Sequence, residues 1–360
     1  MKKKFLLLLI LAACGLPTAT FSQDGKPTPF AEVVKENFSQ WDENGDSKLS
    51  KEEIASAVGK EKFHGEAAAA IAAIERVVSD SKYKLTPVSE ALLISGNNQH
   101  PRAFANEYLV AVKKLHQASR ELFPQSLPSL DSIQQDDLGD CYFLSVVGAM
   151  VHRNPSAVKS MFTKNDDGST GVKFGNGREV KVLHVTDADI AICSTAGNNG
   201  LWLTVLVKAF RNVKVDAKHP DDPDRYDRIS NGGYSGPVIR KLDGCQSRQI
   251  DLKGNRLGVS QTANLLRENL ITAFRKHRLV VAGTDKKIVP GIPDEHEYAI
   301  LAYNDKTEML HIWNPWGDNF TPKGSDGLQN GYTRRNGEFD IPLRDFVKVY
   351  SEITFETQAE

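Results

Sequence analysis

The chain has 360 residues, of which 40% are hydrophobic, 25% charged and 8% aromatic, with 27 Gly and 16 Pro. Such a composition excludes wholesale disorder, collagen and a coiled coil, and the length suits about two to three domains. Lys and Arg number 45 against 46 Asp and Glu, a net charge of −1, so bulk electrostatics offer nucleic acid no footprint and none is expected as a partner. Four cysteines are too few for a disulfide scaffold.

The chain opens with Lys2, Lys3 and Lys4, and residues 5–13 form an apolar run too short for a membrane span. This pattern predicts a secretory signal peptide over residues 1–22. Two cleavage sites stay open. Leu11-Ala12-Ala13-Cys14-Gly15 resembles a bacterial lipobox, which would make Cys14 a lipidated first residue and the chain's only membrane tether. Thr20-Phe21-Ser22 offers the small residues of ordinary signal cleavage, which would leave Gln23 first. Either cut removes the three lysines and takes the net charge from −1 to −4. The expected location is outside a bacterial cytoplasm: periplasmic, membrane-anchored or secreted.

Residues 28–98 read as a calcium-binding helix pair. Phe30, Val33, Val34, Phe38 and Trp41 form a helical stripe that ends on Asp42. The segment from Asp42 to Glu53 resembles an EF-hand loop. Calcium wants six to eight hard oxygens. Asp42, Asn44 and Asp46 would supply three, with the Lys48 carbonyl, Ser50 directly or through water, and a bidentate Glu53. Ser47 stands where that family has Gly, which weakens the tight turn. EF-hands pair through the eighth loop position, here Leu49, and Leu85 lies 36 residues further on. An Ala-rich helix over residues 66–78 leads toward it. The second unit's ligand positions would be Val78, Asp80, Lys82 and Ser89, which cannot hold calcium, so it reads as a silent partner. Two helices of a pro-segment are the alternative for this second half.

Residues 99–128 read as a connector with a helix near residues 108–122. Beyond it, Leu138-Gly139-Asp140-Cys141-Tyr142-Phe143-Leu144 opens an apolar run to Met150. A buried helix beginning at Cys141 puts the thiol at its positive end, where the macrodipole favours thiolate, and Asp140 is a natural N-cap. Gln135 lies six residues earlier, within reach of an oxyanion hole shared with the Cys141 amide. Far downstream, β-rich runs flank a polar turn at residues 304–307 and predict an antiparallel hairpin. Pairing about residue 305 would set His296 opposite Asn314 on one face. Asn314 would then accept from Nδ1–H of His296, Nε2 would face Cys141, and Trp316 would screen the bond.

These motifs, with Asn314-Pro315-Trp316-Gly317, Asn336-Gly337-Glu338-Phe339 and Asp345-Phe346, resemble the protease core of the calpain family within the papain-like cysteine peptidases. A weaker match runs through Leu201-Trp202, Lys208-Ala209-Phe210 and Gly232-Gly233. The resemblance covers residues 129–360 and implies an α+β, papain-like two-lobed cysteine protease core, preceded here by a small all-α EF-hand-like helix pair. It implies an endopeptidase acting on protein or peptide substrates through Cys141, His296, Asn314 and Gln135; the Ca2+ cofactor is expected at the loop from Asp42 to Glu53. A catalytically silent binding module and an acyl transferase using the same triad are the alternatives.

Departures from the family are specific. Tyr142 stands in place of Trp, Val207 in place of an acid, and Glu295 in place of a small residue. Glu295 and Glu297 would bring negative charge to His296 and favour imidazolium. The stretch after Gly317 is short, so only Asp318 and Asp326 remain of the acids expected at core calcium sites. Cys193 and Cys245 could pair, or stay as buried thiols.

Overall fold

The computed structural model describes residues 26–79, 85–95, 103–125, 127–136, 138–213, 227–254, 258–286 and 289–358. The leader with Cys14 and Gln23, and the ligand positions Asp80 and Lys82, lie outside them. No helix among the described residues is long and apolar enough to cross a membrane.

The amino-terminal part begins with α1 (Phe30–Trp41), which buries the predicted stripe of Phe30, Val33, Val34, Phe38 and Trp41. The loop after it runs through β1 (Lys48–Leu49) into α2 (Lys51–Gly59). Ser50 starts α2 with a capping box: its hydroxyl accepts from the Glu53 amide, and the Glu53 carboxylate accepts from the Ser50 amide. Such a cap contributes about 1 kcal/mol. Next come α3 (Gly65–Val78), β2 (Val88–Ser89) and α4 (Glu90–Ser95). β1 pairs antiparallel with β2, so the residue opposite Leu49 is Val88, not Leu85. Val88 is β-branched and fully buried, which suits it to a cross-strand pair.

The 99–128 segment does more than connect. It holds α5 (Phe104–Gln117), which buries Phe104, Tyr108, Ala111, Val112 and Leu115. Then follow α6 (Cys141–Arg153), α7 (Pro155–Ser160), the antiparallel strands β3 (Phe162–Lys164), β4 (Thr170–Lys173) and β5 (Glu179–Val182), and the helices α8 (Asp187–Ile192), α9 (Trp202–Val213), α10 (Asp227–Ser230) and α11 (Ser235–Leu242). The carboxy-terminal part has β6 (Ser247–Asp251), α12 (Val259–Arg275), β7 (Val280–Thr284), β8 (Glu297–Asn304), β9 (Met309–Trp313), β10 (Glu338–Pro342), α13 (Leu343–Val349) and β11 (Tyr350–Glu356). Its six strands form one antiparallel sheet in the order β10-β9-β8-β7-β11-β6.

Strand alternation explains how this sheet joins two cores. Val281, Ala299 and Trp313 point to the face covered by α6 and belong to a cluster that runs back to Phe30 of α1. Val280, Ala282, Tyr298, Ile300 and Ile312 point to the other face and pack with Leu266 and Leu270 of α12 and Phe346 of α13. Because the first cluster is continuous, the amino-terminal helices share one core with the helical part around Cys141. α3 is buried nearly all round, which its run of alanines permits. α6 lies so close to the sheet that a Cβ on Gly148 would stand 2.3 Å from Trp313 Cζ3. The fold is therefore mixed α and β, with a helical part and a sheet part meeting along α6 and β8.

Candidate active site

Cys141 is the first residue of α6, so its amide is one of the four that no intrahelical carbonyl satisfies. Its partly buried thiol receives the backbone N–H groups of Glu297 and Tyr142. Burial pushes the thiol up to about 12, with the neighbouring acids Glu297 and Asp140 adding to the rise.

Asp140 occupies the N-cap position but does not cap α6 with its side chain. It is wholly buried, and its two carboxylate oxygens accept from the Ser194 hydroxyl at 3.2 and 3.0 Å. Burial raises its carboxyl to about 7. Asp140 instead joins the helix start to the segment after α8. At Gly139 the backbone passes so near that a Cβ would meet the Ser230 carbonyl oxygen at 2.2 Å. That approach, with the Gly232 N–H donating to the Gly139 carbonyl, lays the Gly232-Gly233 pair alongside the start of α6.

His296 sits one residue ahead of β8 and is 5% exposed. Its Nε2 lies 2.8 Å from Asn314 Oδ1. The bond is therefore made by Nε2 and not by the expected Nδ1. The amide orientation follows from its other partners: Oδ1 accepts from the Trp316 N–H at 3.1 Å, and Nδ2 donates to Asp318 Oδ1 at 3.3 Å. With Oδ1 toward the ring, the neutral imidazole carries its proton on Nε2 and keeps the Nδ1 lone pair.

The hairpin register also differs from the expected one. Ala299 faces Trp313, so the next step outward puts Tyr298, not His296, opposite Asn314. A bulge between Ile300 and Ala302, together with a turn centred beyond residue 305, produces the offset. Since the slip is two residues, His296 keeps its face and meets Asn314 diagonally.

Burial lowers the imidazole to about 4, against the Asn314 hydrogen bond that raises it. The expected bias toward imidazolium is absent. Glu295 turns to Lys286 at 3.8 Å, and Glu297 is buried with its carboxyl raised to about 8 by desolvation and by Glu352. Trp316, 43% exposed, leans on the ring at 4.8 Å, and Tyr298 meets it edge-on at 5.0 Å.

Gln135 donates from Nε2 to the Leu138 carbonyl at 2.7 Å, which leaves the second amide hydrogen, and its backbone N–H donates to Pro315 at 2.8 Å. The four expected residues thus meet where α6, β8 and the 314–317 turn converge. Asp318 and Arg334, paired at 2.5 Å, back Asn314. The sequence marks Asp318 only as a surviving acid of the family's core sites and carries no signal for Arg334. Asp326 is tied to the Thr333 amide and hydroxyl, apart from this group.

Cys193 and Cys245 are not joined to each other and both remain thiols, the first buried and the second partly exposed. Cys245 lies with Asp243 and Glu356, three donors near enough to share an ion. Arg153 already bridges the two carboxylates, so the cluster has its cation.

In the amino-terminal loop, Asp42 accepts from the amides of Gly45, Asp46 and Ser47, Asn44 from Asp46, and Asp46 from Lys48. Ser47 takes φ +63°, the left-handed turn expected of a glycine there. Glu53 accepts from the Glu43 and Asn44 amides with Oε1 and from Ser50 with Oε2. The three carboxylates of Asp42, Asp46 and Glu53 do not gather within 4.8 Å of one another, but each accepts at least one backbone amide of the loop. A set of hard oxygens on one short loop suits calcium over softer metals.

A thiol at a helix start beside a histidine–asparagine pair is the side-chain set that cysteine-nucleophile chemistry uses. The family of calpain cysteine proteases is matched over residues 98–355, and the chain belongs to it. That membership supports cysteine peptidase activity on protein or peptide substrates. No curated protein matches the chain.

Proposed function

We propose that this protein is an exported cysteine endopeptidase whose nucleophile is Cys141 and whose base is His296. The observation that carries the reading is the His296 Nε2 bond to Asn314 Oδ1, since it leaves Nδ1 as the basic nitrogen. The Glu297 amide on the Cys141 sulfur sets the thiol against the residue that follows this histidine.

In this mechanism Cys141 starts as a thiol and His296 as a neutral imidazole. As sulfur attacks the peptide carbonyl, its proton passes to Nδ1 and the C–S bond forms. The Cys141 amide and the second Nε2 hydrogen of Gln135 hold the oxyanion. The imidazolium then protonates the leaving amine, giving a thioester. Water, deprotonated by Nδ1, hydrolyses the thioester and restores the thiol. Asn314 keeps the ring oriented throughout, and Trp316 shields the Nε2 bond from solvent.

Calcium would be held by Asp42, Asn44, Asp46, the Lys48 carbonyl, Ser50 and Glu53, and would supply charge compensation that braces the loop between α1 and α2. Lys2, Lys3 and Lys4 before an apolar run support export, with Cys14 as lipid anchor if the lipobox is the cleavage site.

The purified chain, incubated with denatured casein and with an electrophilic thiol probe, tests the catalytic reading. Cleavage and labelling should both be present and both vanish in Cys141→Ala. If Cys141 stays unlabelled and casein intact, with or without calcium, the endopeptidase reading is wrong.

A further inference from the structure

Arg76 lies on α3, ahead of the residues that match the protease family, yet its side chain enters the protease part. It is 5% exposed. Its Nε donates to Glu107 Oε2 of α5 at 2.8 Å, and its Nη1 to Asp136 Oδ2 at 2.6 Å. Nη1 also reaches the Ala191 carbonyl at 3.4 Å. Lys114 of α5 completes the cluster, donating to Asp136 Oδ2 at 2.9 Å and to the Cys193 carbonyl at 2.5 Å.

Asp136 is the neighbour of Gln135, and each residue of this short segment is tied separately. Gln134 forms a two-way backbone bridge with Thr195. The Gln135 amide donates to Pro315. Asp136 is the only one of the three fastened by charge. In an extended segment, alternate side chains point to opposite sides, so anchoring Asp136 inward sends Gln135 the other way. There its Nε2 meets the Leu138 carbonyl, in the turn that leads into Cys141.

We propose that Arg76 is a positioning residue for catalysis, holding Asp136 so that Gln135 presents its amide at the start of α6. The proposal rests on the reading of Cys141 as nucleophile and Gln135 as oxyanion donor. It gives the amino-terminal helices a part in the chemistry: a buried guanidinium fork joins them to the segment that carries the oxyanion donor. A misplacement of about 1 Å at such a donor costs on the order of 100-fold in rate.

The test uses the full-length mature chain and three readouts: kcat and KM on a fluorogenic peptide, and the rate of Cys141 alkylation by iodoacetamide, which needs no oxyanion donor. Arg76→Lys keeps the charge but cannot bridge Glu107 and Asp136 at once. Asp136→Asn keeps size and hydrogen bonding but loses the charge. Both should lower kcat about 10- to 100-fold, with KM and the alkylation rate within about twofold of wild type. Should Arg76→Lys fail to fold, Asp136→Asn carries the same outcomes. The proposal is overturned if a folded variant keeps kcat within about twofold of wild type, or if alkylation falls in step with kcat, which would mark general collapse of the site. A wild-type chain that neither cleaves nor alkylates overturns the reading of Cys141, and this proposal with it.

Discussion

The ring of His296 and the amide of Asn314 meet across neighbouring strand ends two residues out of direct register, 2.8 Å apart and wholly out of solvent's reach on the Asn314 side. Trp316 and Asp318 hold the amide so that the oxygen faces the ring. Asn314→Ala should leave the ring free to rotate and lower kcat about 100-fold, with little change in KM, in steady-state peptide hydrolysis. A variant with unchanged kcat would mean that packing against Trp316 and Tyr298 alone orients the imidazole.

The pH profile of kcat/KM should report the free enzyme's groups. His296 must be neutral to accept the thiol proton, and its value is lowered to about 4, so activity should fall as pH drops through that point. On the alkaline side, Glu297 gains its charge near pH 8 and makes thiolate formation at Cys141 harder. Glu297→Gln should therefore extend the plateau above pH 8 while leaving the acid limb in place.

Asp140 links pH to stability. Its carboxyl is raised to about 7 in the folded chain from an ordinary value of 3.8. Between these values the folded state holds a proton that the unfolded state has released, so stability falls as pH rises across the window. The slope is about 1.4 kcal/mol per pH unit for this one group. Asp140→Asn keeps an acceptor for Ser194 and should flatten the fall in unfolding free energy between pH 4 and 7, measured by urea titration.

Gly148 is where α6 comes nearest the sheet. A methyl there would need Trp313 to move from 2.3 Å, and that ring is fully buried. Gly148→Ala should cost about 1–3 kcal/mol by overpacking, despite alanine's better helix propensity. A gain in melting temperature would show that the interface has room to relax.

Glu53 serves both the capping box of α2 and the proposed calcium loop. Glu53→Gln keeps a side chain able to accept from the Ser50 amide but halves the oxygen donors and removes the charge. Calcium should raise the melting temperature of the wild type and raise that of the variant far less, by scanning calorimetry. Extracellular modules bind at about 10⁻⁴ to 10⁻³ M, which sets the range to scan. Equal responses would move the ion elsewhere in the chain.

Local pattern carried much of this protein. The stripe from Phe30 to Trp41, the apolar run from Cys141 and the two strands about the 304–307 turn are short-range periodicities, and each became the expected element. The residue types at 135, 141, 296 and 314 could be chosen because their motifs are contiguous in the chain. What only the tertiary structure decided depends on segments far apart in sequence. The diagonal meeting of His296 with Asn314 was set by the strand register, and the side of the amide that faces the ring by Trp316 and Asp318. The charge states of Cys141, Glu297 and Asp140 were set by desolvation, which no residue type reveals. Asp140 left its N-cap role because Ser194, 54 residues away, offered its hydroxyl inside the core. Arg76 drew no notice in the sequence, since a lone arginine on an alanine-rich helix reads as solvated until α5 and the 134–136 segment close over it. Periodicity is written along the chain, whereas burial and the partners of a buried charge exist only once distant parts of the chain have packed together.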